Sequence, residues 1–251
     1  MRWIVPRIWE GGEVWILGGG PSVVKQFGIP EEVVQNVMNK VSPPTIYSPY
    51  MKAIHDKHVI AINVAFLIGD WMDMIFFGDN KFFLGYREQL AAWPGLKVTC
   101  HSGCEKYSWI KFLQRDGGHP RGISPNPNMV AWNVNSGSAA ISVAANAGAK
   151  RIILLGFDMS VNSSGNQHWH TLYKGTAMNE SNVPLQNPRF PTRALPPREP
   201  RQKKPGFPFV RHLAGFPVIA EDARKRGIEI INCSPDSIIS EFPKCNIKDL
   251  L

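Results

Sequence analysis

Val14-Trp15-Ile16-Leu17-Gly18-Gly19-Gly20-Pro21-Ser22 is the stretch whose reading decides the fold. Four apolar residues in a row, without alternation, fit a strand covered on both faces, and the glycines close it with a sharp turn. Val59-Ile60-Ala61-Ile62 repeats the format and ends at Asn63, and Met74-Ile75-Phe76-Phe77 ends at Gly78-Asp79-Asn80. Leu96-Lys97-Val98-Thr99 is a weaker version, while Arg151-Ile152-Ile153-Leu154-Leu155 and Ile228-Glu229-Ile230-Ile231 complete the series.

Helical patterns separate these runs. Residues 30–40 begin with proline and two glutamates, and residues 81–93 stop before Pro94-Gly95. Residues 136–147 are rich in alanine and stop at Gly148. Residues 216–226 place Arg224, Lys225 and Arg226 in the last turn, where cations complement the helix dipole. Strands alternating with helices at this spacing predict right-handed crossovers and an α/β, Rossmann-like, doubly wound and mostly parallel sheet with helices on both faces. The 251 residues fit one nucleotide-binding domain.

Composition narrows the function classes. A hydrophobic fraction of 43% is globular, and no apolar run approaches the roughly 20 residues that span a bilayer. The N-terminus lacks a secretion signal, so the expected address is cytoplasmic. Cys100, Cys104, Cys233 and Cys245 are too few for a disulfide scaffold, and reduced thiols are expected. Cys100-His101-x-x-Cys104 with His119 has zinc-binding residue types, but no second cysteine pair stands nearby.

The net charge of +8 is local. Seven cations, Arg189, Arg193, Arg198, Arg201, Lys203, Lys204 and Arg211, face Glu199 alone. Eight prolines lie between Pro184 and Pro208. Residues 179–210 therefore read as a basic, Pro-rich loop or lid inserted in the domain, or equally as an inert insertion. The span from Arg189 to Arg211 could also meet nucleic acid, although Phe190, Phe207 and Phe209 are not regularly interleaved with the cations.

In open α/β sheets, ligands bind beyond the carboxyl ends of the strands, where helix N-termini and exposed amides converge. Gly18, Gly19, Gly20, Pro21 and Ser22 would let a phosphate or ribose approach the backbone, or would simply make a tight turn. Asn135-Ser136-Gly137-Ser138 is a second small-residue turn entering a helix, at once a cap and a candidate anion cradle. Asp79 and Asp158 could hold Mg²⁺ on phosphates or merely cap turns. His168-Trp169-His170 could perform acid–base chemistry, bind metal or stack a base on the indole; an exposed polar loop with incidental histidines is the plain alternative. His212, before the last long helix, is a further candidate.

Taken in order, Gly-Gly-Gly-Pro-Ser22, Ile-Ala-Ile-Asn63, Phe-Phe-Gly-Asp79, Asn-Ser-Gly-Ser138, Leu-Leu-Gly-Phe-Asp158, His212 and Ile-Ile-Asn-Cys-Ser-Pro-Asp236 resemble bacterial lipooligosaccharide sialyltransferases. The chain is also similar to 6-hydroxymethylpterin pyrophosphokinases and to a group of tailed-phage proteins, the last through His168-Trp169-His170. The sialyltransferase likeness implies that Gly18, Gly20, Pro21, Ser22, Asn63, Ser136 and Gly137 meet a cytidine nucleotide sugar and that His212 is the catalytic base. Met159-Ser160 stand where that family has a tyrosine, and Gly78-Asp79-Asn80 replaces its asparagine after the third strand.

Three functions follow as expectations. The first is a transferase using a nucleotide sugar, in which a histidine deprotonates an acceptor hydroxyl. The second is a pyrophosphokinase using ATP, with Mg²⁺ on Asp79 and Asp158. The third is a non-catalytic nucleotide- or nucleic-acid-binding phage protein.

Overall fold

The computed structural model describes residues 3–117, 120–172, 186–187, 190–194 and 209–251. The first strand, β1 (Glu13–Leu17), sits inside a seven-stranded sheet whose pairings are all parallel. On one side of it lie β2 (His58–Ile62), β3 (Met74–Phe77), β4 (Leu96–Thr99) and the edge strand β5 (Lys111–Phe112). The chain then forms a small parallel pair, β6 (Gln114–Asp116) with β7 (Met129–Ala131), and crosses back to β8 (Arg151–Leu155) on the other side of β1. Gln186–Asn187 (β9) pairs antiparallel with Phe190–Ala194 (β10), and β11 (Glu229–Asn232) completes the main sheet beside β8. The predicted α/β, doubly wound, mostly parallel sheet is what forms, and the winding reverses between β1 and β8.

The unalternating strands owe their composition to burial on both faces. Val14 and Ile16 join Ile152 and Leu154 in one core, and Trp15 and Leu17 join Ile153 and Leu155 in the other. The first core is covered by α4 (Ser136–Asn146) and by α6 (Phe216–Lys225), through Phe216, Ile219 and Ala223. The second is covered by α2 (Glu31–Met38), the 3-10 segment Pro44–Ile54 and α3 (Asn80–Ala92). α1 (Ser22–Gln26) follows the glycine turn, and α5 (Phe209–Leu213) precedes α6. α4 is buried from Ser136 to Ala145, and its alanines let it lie against the sheet with little side-chain bulk between them.

Each predicted helix and each of the six predicted strands forms with its ends moved by at most one or two residues. β5, β6, β7 and the 3-10 segment were not foreseen. Most of the basic stretch 179–210, including Arg189 and the cations from Arg198 to Lys204, lies outside the described residues, as does His119. Among the described residues no helix is long and apolar enough to cross a membrane.

Candidate functional site at the reversal of the sheet

Beyond the carboxyl ends of β1, β2, β3 and β8 opens a cleft of about 850 Å³. Gly18, Gly19, Gly20, Asn63, Asp79, Ser136, Gly137, Asp158, His168 and His212 all line it. Residues far apart in sequence meet there because parallel strands end their loops on one rim. Pro21, Ser22, Gly78, Ser138 and His170 stand behind the lining rather than in it.

The glycine turn has a different cause from the one its sequence suggested. The amides of Gly18 and Gly20 donate to the carbonyls of Leu155 and Gly156, at 2.7 and 3.0 Å, so they are committed to the neighbouring loop and not to an anion. A Cβ on Gly18 would lie 2.9 Å from the Gly156 oxygen, and one on Gly20 would lie 1.9 Å from Asp158 Oδ2. Glycine is needed where the loops after β1 and β8 cross. Only at Gly19 would a Cβ meet side chains alone, chiefly His168 Nδ1 at 2.9 Å.

Asp158 ties the same crossing. Its Oδ1 accepts from the Ser22 amide at 3.1 Å, and its Oδ2 from Ser22 Oγ at 2.8 Å. Burial raises its pKa, while the two Ser22 hydrogen bonds oppose the rise. Ser234, just past β11, lies 2.9 Å from Ser22 through its Oγ and accepts the Phe157 amide at 3.1 Å. This arrangement is a poor magnesium site. Asp158 is already engaged, Asp79 is the other cleft carboxylate, and among the described residues no three His, Cys, Asp or Glu side chains cluster as metal ligands.

The His168-Trp169-His170 segment is not an exposed loop, which corrects the reading of its indole as a base-stacking surface. Trp169 is 1% exposed; its amide donates to Gly19 O at 3.0 Å and its Nε1 to Gly18 O at 3.1 Å. Tyr47 packs edge-on against it with ring centroids 5.5 Å apart. The imidazoles of His168 and His170 are parallel within 2° and 5.1 Å apart, so the two histidines do share a face. His170 is buried, and only His168 reaches the cleft, its Nδ1 lying 3.3 Å from Gly19 O.

Burial pushes His168 down to about 4 and His170 well below its ordinary value, the latter also through its neighbour His168. Both fold as neutral rings. The unfolded chain begins to bind these protons near pH 6.5, the folded chain only at lower pH, so their contribution to stability is complete above about 6.5 and is lost as pH falls. We expect His168→Gln to flatten the fall in melting temperature between pH 7 and 4.5. Superimposable wild-type and variant profiles would contradict a neutral buried His168.

The opposite wall carries residues that sequence reading missed. Arg115, on β6, donates to Gly78 O at 3.0 Å and lays its guanidinium 4.3 Å from the Trp132 ring centroid. Gly78 is glycine because a Cβ there would sit 2.1 Å from that indole. Arg115, Trp132 and Lys81 all line the cleft. At the head of α4, Asn135 Oδ1 accepts the Gly137 amide at 2.8 Å, and Ser138 turns its hydroxyl back to Asn135 O. Asn63, Val134 and Met159, all on the rim, hold φ of 51°, 58° and 52°. That conformation is costly for a β-branched residue such as Val134, on the order of 1–3 kcal/mol, and such strain gathers at functional sites. Asn63 also buries its Oδ1 without a hydrogen-bond partner among the described residues.

The whole chain superposes on part of a glycosyltransferase. That protein is the MAf glycosyltransferase from Magnetospirillum magneticum AMB-1, matched with a TM-score of 0.57 and 12% identity. The match spans 100% of this chain and 36% of that one, so this chain corresponds to about a third of its length. No family model and no curated protein matches the sequence. At such identity the likeness concerns architecture: the chain has a glycosyltransferase-like α/β fold. Within that fold, the cleft stands where the winding of the sheet reverses.

Proposed function

We propose that the chain transfers a sugar from a nucleotide-sugar donor to an acceptor hydroxyl in this cleft. The observation that carries the reading is the convergence at one rim of Asn63, the head of α4, His168 from the segment after β8 and His212 from α5. The glycosyltransferase-like fold supports it.

In this reading the donor phosphate lies at the N-terminus of α4, near Ser136 and Gly137, where the helix dipole favours negative charge. The nucleoside reaches Asn63, whose carboxamide oxygen accepts a donor from the ribose or base. His212 takes the proton of the acceptor hydroxyl as that oxygen bonds to the anomeric carbon. The bond from the anomeric carbon to the phosphate oxygen breaks, and the nucleoside phosphate leaves with the electron pair. His168, neutral and held against Gly19, orients the glycine turn and adds no charge beside the phosphate. No step requires a metal.

Thermal melts with CMP-, UDP- and GDP-sugars and with ATP, each with and without Mg²⁺, test the reading, because a ligand that binds only the native state raises its melting temperature. The expected result is stabilisation by one class of nucleotide sugar and slow release of its nucleoside phosphate. His212→Ala should cut turnover by about a hundredfold while leaving the donor-induced shift in place. Stabilisation and turnover of ATP alone, only with Mg²⁺, would instead support a phosphotransferase. No response to any nucleotide, with nucleic acid bound in its place, would support the binding protein.

A further inference from the structure

The end of β11 carries a feature that takes no part in the proposed transfer. Cys233 is fully buried immediately after the strand, and Cys245 is half-buried twelve residues later. Their sulfurs lie 3.4 Å apart. The backbone fixes this pairing independently of the thiols. The Asn232 amide donates to Pro243 O at 2.9 Å, the Cys245 amide to Asn232 O at 3.4 Å, and Asn232 bridges Lys244 in parallel register. The two side chains are therefore held side by side by main-chain bonds on both flanks.

The pair sits at a sensitive place. Cys233 donates its amide to Leu154 O at the end of β8, and the next residue, Ser234, bonds Ser22 and Phe157 at the crossing of the two cleft loops. On the other side, Ile247 donates its amide to Gln26 at the end of α1. A covalent link between the two sulfurs would staple the C-terminal segment to the strand that supports the cleft.

We propose that Cys233 and Cys245 form a reversible dithiol–disulfide pair, a modification site for small-molecule disulfides such as oxidised glutathione. The first step takes place at Cys245, the more accessible of the two. Its thiolate attacks one sulfur of the oxidant, the oxidant's S–S bond breaks, and a glutathione thiolate leaves and takes up a proton. Cys233 then attacks the Cys245 sulfur of the mixed disulfide. A second glutathione thiolate leaves with the proton of Cys233. Two protein thiols are oxidised and one oxidised glutathione is reduced to two glutathiones. Burial raises the pKa of Cys233, which fits it as the slower, resolving thiol.

Cys100 and Cys104 are buried elsewhere, so the bond must be located as well as counted. The full chain, reduced and then incubated with excess oxidised glutathione, should lose two hydrogens in mass and two reactive thiols. Trypsin cuts after Arg226, Lys244 and Lys248, so the disulfide should join peptide 227–244 to peptide 245–248, and dithiothreitol should separate them. The link closes a short loop in the unfolded chain, so the oxidised protein should melt roughly 5 °C or more above the reduced one. Cys245→Ser, at a half-buried position where folding survives, should abolish the joined peptide and the melting difference together. A stable glutathione adduct on Cys245 that never resolves, full retention of both thiols, or a link through Cys100 or Cys104 would each overturn the proposal.

Discussion

Gly20→Ala should leave little folded protein at 37 °C. A methyl group at this position would sit 1.9 Å from Asp158 Oδ2 and 2.6 Å from Gly156 O. The first contact is with a side chain that is itself held by Ser22, and the second is with backbone at the end of the adjacent strand. Asp158 cannot retreat without giving up its Ser22 hydrogen bonds, and the Gly156 carbonyl cannot without breaking the Gly20–Gly156 hydrogen bond that closes the turn. Overpacking against backbone costs about 3 kcal/mol, the upper end of the usual range and a large share of a domain's stability. Urea unfolding of the purified variant reads the loss. Adding Asp158→Ala should not restore stability, because the clash with the Gly156 carbonyl remains. A Gly20→Ala protein that unfolds within about 0.5 kcal/mol of wild type would show that the loops do not cross as closely as the structure has them.

The contrast with Gly19 separates two readings of one sequence motif. Three consecutive glycines after a strand suggest room for a phosphate, and the same three residues are equally what two crossing loops require. Sequence registers that the backbone comes close to something; it does not register what that something is. At Gly18 and Gly20 the neighbour proves to be the loop after β8, and at Gly19 it is His168.

What was legible in the sequence follows the same logic. The strands β1, β2, β3 and β8 are buried on both faces, so their apolar runs have no alternation and stand out against the helices between them. β5, two residues at the edge of the main sheet, and β6, three residues in the separate pair with β7, have too little length for any period to show. The 3-10 segment Pro44–Ile54 buries Tyr47, Met51 and Ile54 at helical i, i+4, i+7 spacing, but Ser48-Pro49 in its middle reads as a turn and masks the repeat. The rim residues were found from their place at strand ends. Arg115 and Trp132 escaped notice because β6 and β7 were not foreseen, and nothing local marks an arginine that stacks on an indole 17 residues downstream.

The burial of Trp169 was hidden for a related reason: Asn162-Ser163-Ser164-Gly165-Asn166-Gln167 precedes it, and such composition normally stays in water. The segment is polar because Asn162 to Gly165 stay exposed, and only its end, Gln167, reaches the cleft. Its tryptophan is apolar because it plugs the back of the glycine turn.

Trp169→Ala should therefore cost about 3–5 kcal/mol, as the loss of a fully enclosed indole does elsewhere. Two effects add. The cavity removes the contact with Tyr47, and the Gly18 carbonyl loses its donor within a buried turn. Trp169→Phe tells them apart. It keeps most of the volume and the backbone bond to Gly19, and it loses only the Nε1 hydrogen bond, worth about 1–3 kcal/mol when the acceptor stays buried. If the indole serves to fix the turn, Trp169→Phe remains folded at 25 °C but shows a smaller nucleotide-induced melting shift than wild type, because the Gly18 carbonyl is then no longer held in place. If it serves only to fill space, the shift is unchanged and only the baseline melting temperature falls. Equal stability of Trp169→Ala and wild type would remove Trp169 from the back of the turn altogether, and with it the physical reason that His168 faces the cleft while His170 does not.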